Sequence, residues 1–179
     1  MLKKSLAISM AVSLMSLPVS AQSSFSELVV FGDSLMDTGN YGGGVRFTNQ
    51  TSPGVFAPIA PEFLADGLGL TLTPAIDGGT NYAVGGFVTS QILASISGSG
   101  IDTVASAAFL GLPGGSAAAY LDGTNNRISS STLILIDGGG NDINGALADP
   151  ATASAVIAAS ATTYVQSIGE LANAGAKYI

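Results

Sequence analysis

Three times this chain runs through a short apolar stretch that stops on glycine, and that pattern limits its fold more than any other feature. Residues 27–32 (ELVVFG), 80–86 (TNYAVGG) and 131–140 (STLILIDGGG) carry it. Apolar runs of this length, bounded by polar residues and glycine, read as buried strands. The segments between them read as crossovers. Residues 41–61, rich in Gly, Thr, Asn and Pro, are expected to form a long loop. Residues 58–68 are expected to be helical, with Pro61 near the first turn and Ile59, Phe63, Leu64 and Leu68 on one apolar face. Further helix is expected at 89–96, around 102–110 and 117–121, and over a long stretch to Asn173. That last helix is opened by Asp149 and Pro150 and ended by Gly175. Its apolar candidates are Ala155, Ile157, Tyr164, Val165, Ile168 and Leu171. Strands alternating with crossovers predict an α/β fold, a parallel sheet flanked by helices in three layers with right-handed connections. Residues 177–179 read as the opening of another strand, so the sheet is expected to be incomplete at the C-terminus.

Composition narrows the class. Hydrophobic residues make up 47% of the chain and charged residues 9%, which suits a packed core rather than a disordered segment. The formal charge of −7 disfavours nucleic acid and anionic membrane as partners. The chain has no cysteine and no histidine, which disfavours a disulfide framework and a transition-metal site. No phosphate-binding loop or dinucleotide fingerprint follows a strand, and no cofactor is expected. At the N-terminus Lys3 and Lys4 precede an apolar run over residues 6–17, and Val19-Ser20-Ala21 fits a cleavage site. Residues 1–21 are therefore expected to be a signal peptide and 22–179 the mature segment, exported to the periplasm, the cell surface or beyond. Losing Lys3 and Lys4 takes the formal charge from −7 to −9.

In an open parallel sheet, ligands bind beyond the carboxyl ends of the strands. Three loops are expected there: Gly32-Asp33-Ser34-Leu35, Gly85-Gly86 and Gly138-Gly139-Gly140-Asn141-Asp142. Glycine lets backbone N–H groups approach a substrate, and a serine facing such donors is the layout that acyl transfer requires.

These loops resemble the blocks of a known family. Phe31-Gly32-Asp33-Ser34-Leu35-Met36-Asp37-Thr38-Gly39-Asn40 is similar to the first block of the GDSL (SGNH) esterases and lipases. Asn81-Tyr82-Ala83-Val84-Gly85-Gly86 is similar to their second block and Gly138-Gly139-Gly140-Asn141-Asp142 to their third. Arg46-Phe47-Thr48-Asn49 and the closing Ala174-Gly175-Ala176-Lys177-Tyr178-Ile179 resemble the branch containing bacterial autotransporter esterases, which leaves room for a membrane barrel after this chain. The resemblance implies the SGNH-hydrolase, flavodoxin-like form of the three-layer fold, with residues 22–179 as its N-terminal part. It also implies an exported carboxylesterase or lipase acting on small-molecule or lipid esters through an acyl-Ser34 intermediate. The oxyanion donors would be the Ser34 N–H, the Gly86 N–H (with Gly85 as alternative) and the Asn141 amide. Asp33, Asp37 and Asp142 would support the loops. The family's Asp-x-x-His pair, which supplies the base, has no counterpart here, so these residues alone are expected to be inactive. An exported surface or carbohydrate-binding module, using the same glycine-rich loops as a binding face, is the alternative.

Overall fold

The computed structural model describes residues 24–179; the expected signal peptide lies outside them. Its central strand is β1 (Glu27–Phe31). Residues 41–61, expected to be loop, contain a small hairpin of β2 (Gln50–Ser52) and β3 (Val55–Phe56). Helix α1 (Ala60–Leu68) carries Pro61 in its first turn, where a missing N–H costs nothing, and ends on Gly69 at φ 69°. Its buried face differs from the expected one. Ile59, Pro61 and Ala65 point inward while Phe63 is exposed.

Residues 80–84 run parallel to β1 without forming a regular strand. Val30 N–H donates to Thr80 O, Val30 O accepts Tyr82 N–H, and a single bridge joins Val30 to Asn81. Then come α2 (Thr89–Ser97), β4 (Ile101–Asp102), α3 (Val104–Phe109), β5 (Ser116–Ala117) and the short α4 (Tyr120–Gly123). Strand β6 (Thr132–Ile136) pairs in parallel with β1 along its whole length, Glu27 opposite Thr132 and Phe31 opposite Ile136. Tyr178 bridges the other side of β6 at Leu133, again in parallel.

Pro74 bridges the far side of Asn81, so the resulting order across the sheet is residue 74, residue 81, β1, β6, residue 178. The chain leaves β1 to one side and returns to the other, which creates a switch point between the tips of β1 and β6.

Alternation along the strands divides the core. Val29, Phe31 and Ile134 face a cluster with Ile92 and Ile96 of α2, Leu121 of α4 and a residue of the last helix, Leu171. Leu28 and Val30 face the opposite way, onto Ala65 of α1, with Leu133 and Leu135 packed alongside. Residues 28–31 are all fully buried, each worth about 1.5–3 kcal/mol for a large apolar side chain.

Two helices follow β6 where one was expected. Helix α5 (Gly140–Ala148) occupies what read as a turn, and α6 (Ala153–Asn173) starts three residues past Pro150. The sequence GNDINGALA contains two glycines and two asparagines, weak helix formers, so its local signal is that of a turn. Packing of α5 on α6 and burial of Ala146 override it. Asp149 closes the turn between them, accepting Ala151 N–H at 3.1 Å and Thr152 Oγ1 at 2.8 Å. On α6 the buried stripe runs through Ser167 and Leu171, whereas Ile157 and Val165 are exposed. An alanine-rich helix gives little contrast from which to read a face.

Candidate active site

Ser34 lies three residues beyond the end of β1, in a turn closed by Met36 N–H donating to Asp33 O. Its side chain is half-buried and makes no hydrogen bond among the described residues. Asp33 is buried and accepts Leu35 N–H on Oδ1 at 3.0 Å, an Asx turn around the serine. Thr48 Oγ1 donates to Ser34 O at 2.7 Å, which ties the 41–49 loop onto the same turn.

Asp37 is fully buried. Its Oδ1 accepts Gly39 N–H at 2.7 Å and Asn40 N–H at 2.9 Å, and its Oδ2 accepts Gly85 N–H at 2.9 Å. Burial pushes this carboxyl above its ordinary value, against the pull of the three N–H donors and the more distant Arg46 guanidinium. Because the Gly85 N–H is committed to Asp37, it is the neighbouring Gly86 N–H that has no partner among the described residues. Gly86 is exposed and holds φ 85°, a conformation that favours glycine.

The third loop turns at Gly139, φ 99°, and enters α5 directly. Asn141 therefore sits in the first turn of a helix, and its Nδ2 donates to Phe87 O at 2.9 Å. Asp142 accepts Thr89 N–H and Thr89 Oγ1, both at 2.9 Å, at the N-terminus of α2, where a carboxylate also complements the helix dipole. The first and third loops meet: a methyl placed on Gly140 would lie 3.6 Å from Asp33 Oδ2. Asp33, Gly86 and Asn141 thus belong to three loops that converge at one end of the sheet. An apolar groove of about 330 Å³ opens beyond Asp142 between α5 and α6, walled by Ile143, Ile157, Tyr164 and Val165.

The framework under these loops contains residues whose part the sequence did not reveal. Asn40, fully buried, donates from Nδ2 to Asn81 O at 2.9 Å and Ala83 O at 2.7 Å, and accepts Ile76 N–H at 3.3 Å. Asn81, equally buried, donates to Met36 O at 2.7 Å and accepts Ala83 N–H at 2.9 Å. The two asparagines thus add side-chain bonds at Asn81 O, Ala83 O and Ala83 N–H to the backbone bonds that residues 80–84 make with their neighbours. Tyr41 donates its hydroxyl to Gly85 O at 3.0 Å and packs its ring edge-on to Phe47. The available signal was positional. Asn40 ends the first block and Asn81 begins the second, and a polar residue inside an apolar stretch needs a partner.

The family of GDSL-like lipases/acylhydrolases matches residues 28–179, from the second residue of β1 to the last residue. The chain is 36% identical over 180 residues to a Pseudomonas putida protein described as an uncharacterized protein in the trpE-trpG intergenic region, an alignment covering 89% of this chain and 28% of that one. It is 32% identical over 158 residues to Lipase 1 of Photorhabdus luminescens, covering 88% of this chain and 22% of the lipase. Against Esterase EstA of Pseudomonas aeruginosa it is 37% identical over 121 residues, 53% of this chain and 19% of the esterase. The chain therefore spans only 19% to 28% of the length of these bacterial relatives. With the match running through all three convergent loops, the chain belongs to the GDSL-like lipase/acylhydrolase family.

Proposed function

We propose that Ser34 is the nucleophile of an exported carboxylic ester hydrolase, and that this chain carries its nucleophile and oxyanion donors but not its base. The observation that carries the reading is the convergence of the Ser34 turn, the unpartnered Gly86 N–H and the Asn141 amide beyond the tips of three neighbouring parallel segments. Lipase 1 and Esterase EstA, both similar to this chain, support an ester as substrate. The Ser34 Oγ attacks the ester carbonyl while a base takes its proton, and the carbonyl oxygen becomes an oxyanion. The Ser34 and Gly86 N–H groups and the second Asn141 Nδ2 hydrogen stabilise that charge. Collapse expels the alcohol and leaves an acyl-serine, which water then hydrolyses by the same route. The chain has no histidine, so the base comes from outside these 179 residues, by family resemblance from an Asp-x-x-His pair. Asp33, Asp37 and Asp142 hold the loops rather than move protons.

Export rests on Lys3, Lys4, the apolar run at 6–17 and the Val19-Ser20-Ala21 site. Resemblance to the autotransporter esterases supports a surface location for the whole protein. A fluorophosphonate probe is expected to label Ser34 in the whole gene product and to leave Ser34→Ala unlabelled. The 179 residues alone are expected to turn over no p-nitrophenyl ester. An unlabelled whole gene product would overturn the hydrolase reading.

A further inference from the structure

Gly85 is gripped at both ends, by a side chain of the first block and by that of the residue just after it. Its N–H goes to buried Asp37 Oδ2 and its carbonyl accepts the Tyr41 hydroxyl at 3.0 Å. The carbonyl of Gly85 and the N–H of Gly86 belong to one peptide unit. No cis peptide bond occurs among the described residues, so these two groups point in opposite directions across a rigid plane. Whatever fixes the direction of Gly85 O therefore fixes the direction of Gly86 N–H. Glycine at positions 85 and 86 has no side chain of its own to hold that plane, and Gly86 is exposed. Without an outside restraint the peptide is free to tilt or flip.

Tyr41 is well placed to be that restraint. Its ring is buried and braced against Phe47 with centroids 5.1 Å apart and planes at 87°. Its backbone is anchored separately, with Tyr41 O accepting Gly114 N–H at 2.9 Å. The preceding Asn40 carbonyl accepts Thr103 Oγ1 at 2.8 Å. The hydroxyl thus projects from a fixed frame onto an otherwise unheld carbonyl.

We propose that Tyr41 is a positioning residue of the oxyanion site, setting the aim of the Gly86 N–H through the Gly85 carbonyl, with Asp37 holding the other side of the same glycine. The inference rests on the reading of Ser34 as nucleophile and Gly86 as donor. A hydrogen bond accepted by the Gly85 carbonyl also polarises the peptide, making its N–H a better donor. The effect falls on the transition state, where negative charge develops, and not on ground-state binding.

The test is Tyr41→Phe in the whole gene product, which keeps the ring and its contact with Phe47 and removes only the hydroxyl. We expect kcat to fall about ten- to a hundredfold with KM unchanged, the scale of a donor misplaced rather than deleted. The affinity of a trifluoromethyl ketone, which forms a serine-bound oxyanion, is expected to weaken by the same factor. An unaltered kcat in a folded Tyr41→Phe protein, whatever its melting temperature, would overturn the proposal. So would a kcat loss without a parallel loss of ketone affinity. A second measurement needs no variant: glycine-selective 15N relaxation is expected to show the Gly86 amide as rigid as the strands, and a mobile amide would overturn it. Failure of the wild-type protein to react with fluorophosphonate at Ser34 would instead remove the hydrolase reading itself.

Discussion

Replacing Asn141 by alanine separates the loop tie that the structure shows from the oxyanion role proposed for the same amide. One Nδ2 hydrogen goes to Phe87 O at 2.9 Å, and the other is the one proposed to reach the oxyanion. Phe87 is only 7% exposed, so Asn141→Ala strands a carbonyl with little access to water. An unmet buried acceptor costs about 1–3 kcal/mol. Each kcal/mol lowers Tm by about 2–4 °C in a domain of this size, so the melt should fall by about 2–12 °C. Loss of an oxyanion donor costs about 2.7–4 kcal/mol in the transition state, or about 10²–10³ in kcat. The assay is p-nitrophenyl ester hydrolysis by the whole gene product, run well below the melting temperature of both proteins and paired with a thermal melt. Asn141→Asp keeps the size but turns a donor into an acceptor facing both Phe87 O and the developing charge. Its kcat should fall at least as far as that of the alanine variant. The reasoning is refuted if Asn141→Ala melts lower yet keeps kcat within about threefold of wild type, because the amide would then be a tie between loops and nothing more.

Three other outcomes follow from local geometry. Asp142→Ala removes two bonds to Thr89 at the start of α2 and is expected to cost about 1–2 kcal/mol in urea unfolding, a loss that Asp142→Asn should partly restore. Gly85→Ala would place a methyl 2.5 Å from Phe47 Cδ2; destabilisation should appear in a thermal melt and be relieved when Phe47→Ala is added. Tyr120 is buried, and burial together with the nearby Glu27 carboxylate pushes its hydroxyl above the ordinary value of 10.0. The neutral form is thus favoured more in the folded state. The stability this gives is fully present below pH 10 and is lost as pH rises above it toward the folded-state value. Urea unfolding between pH 10 and 12 should show a decline of about 1.4 kcal/mol per pH unit from this group, absent in Tyr120→Phe.

The amino-acid order alone determined the fold class and the three loops that matter. Strands β1 and β6 were legible because runs such as LVVF and TLILI have no stable place except a sheet covered on both faces, and the glycines after them mark where the chain must turn. Helix α5 was not legible, because GNDINGALA has the local preference of a turn and becomes helical by packing on α6. The strand-like run at 80–84 failed in the opposite sense. Its backbone bonds are met partly by the side chains of Asn40 and Asn81, and nothing in the local pattern announces a side chain that replaces a ladder. Which of Gly85 and Gly86 has an engaged N–H was likewise beyond reach of the sequence, since two adjacent glycines are locally equivalent. A carboxylate 48 positions away takes one N–H and leaves the other. Periodicity and composition act over a few residues, whereas a hydrogen-bond partner is chosen by the folded chain bringing distant residues within 3 Å of one another.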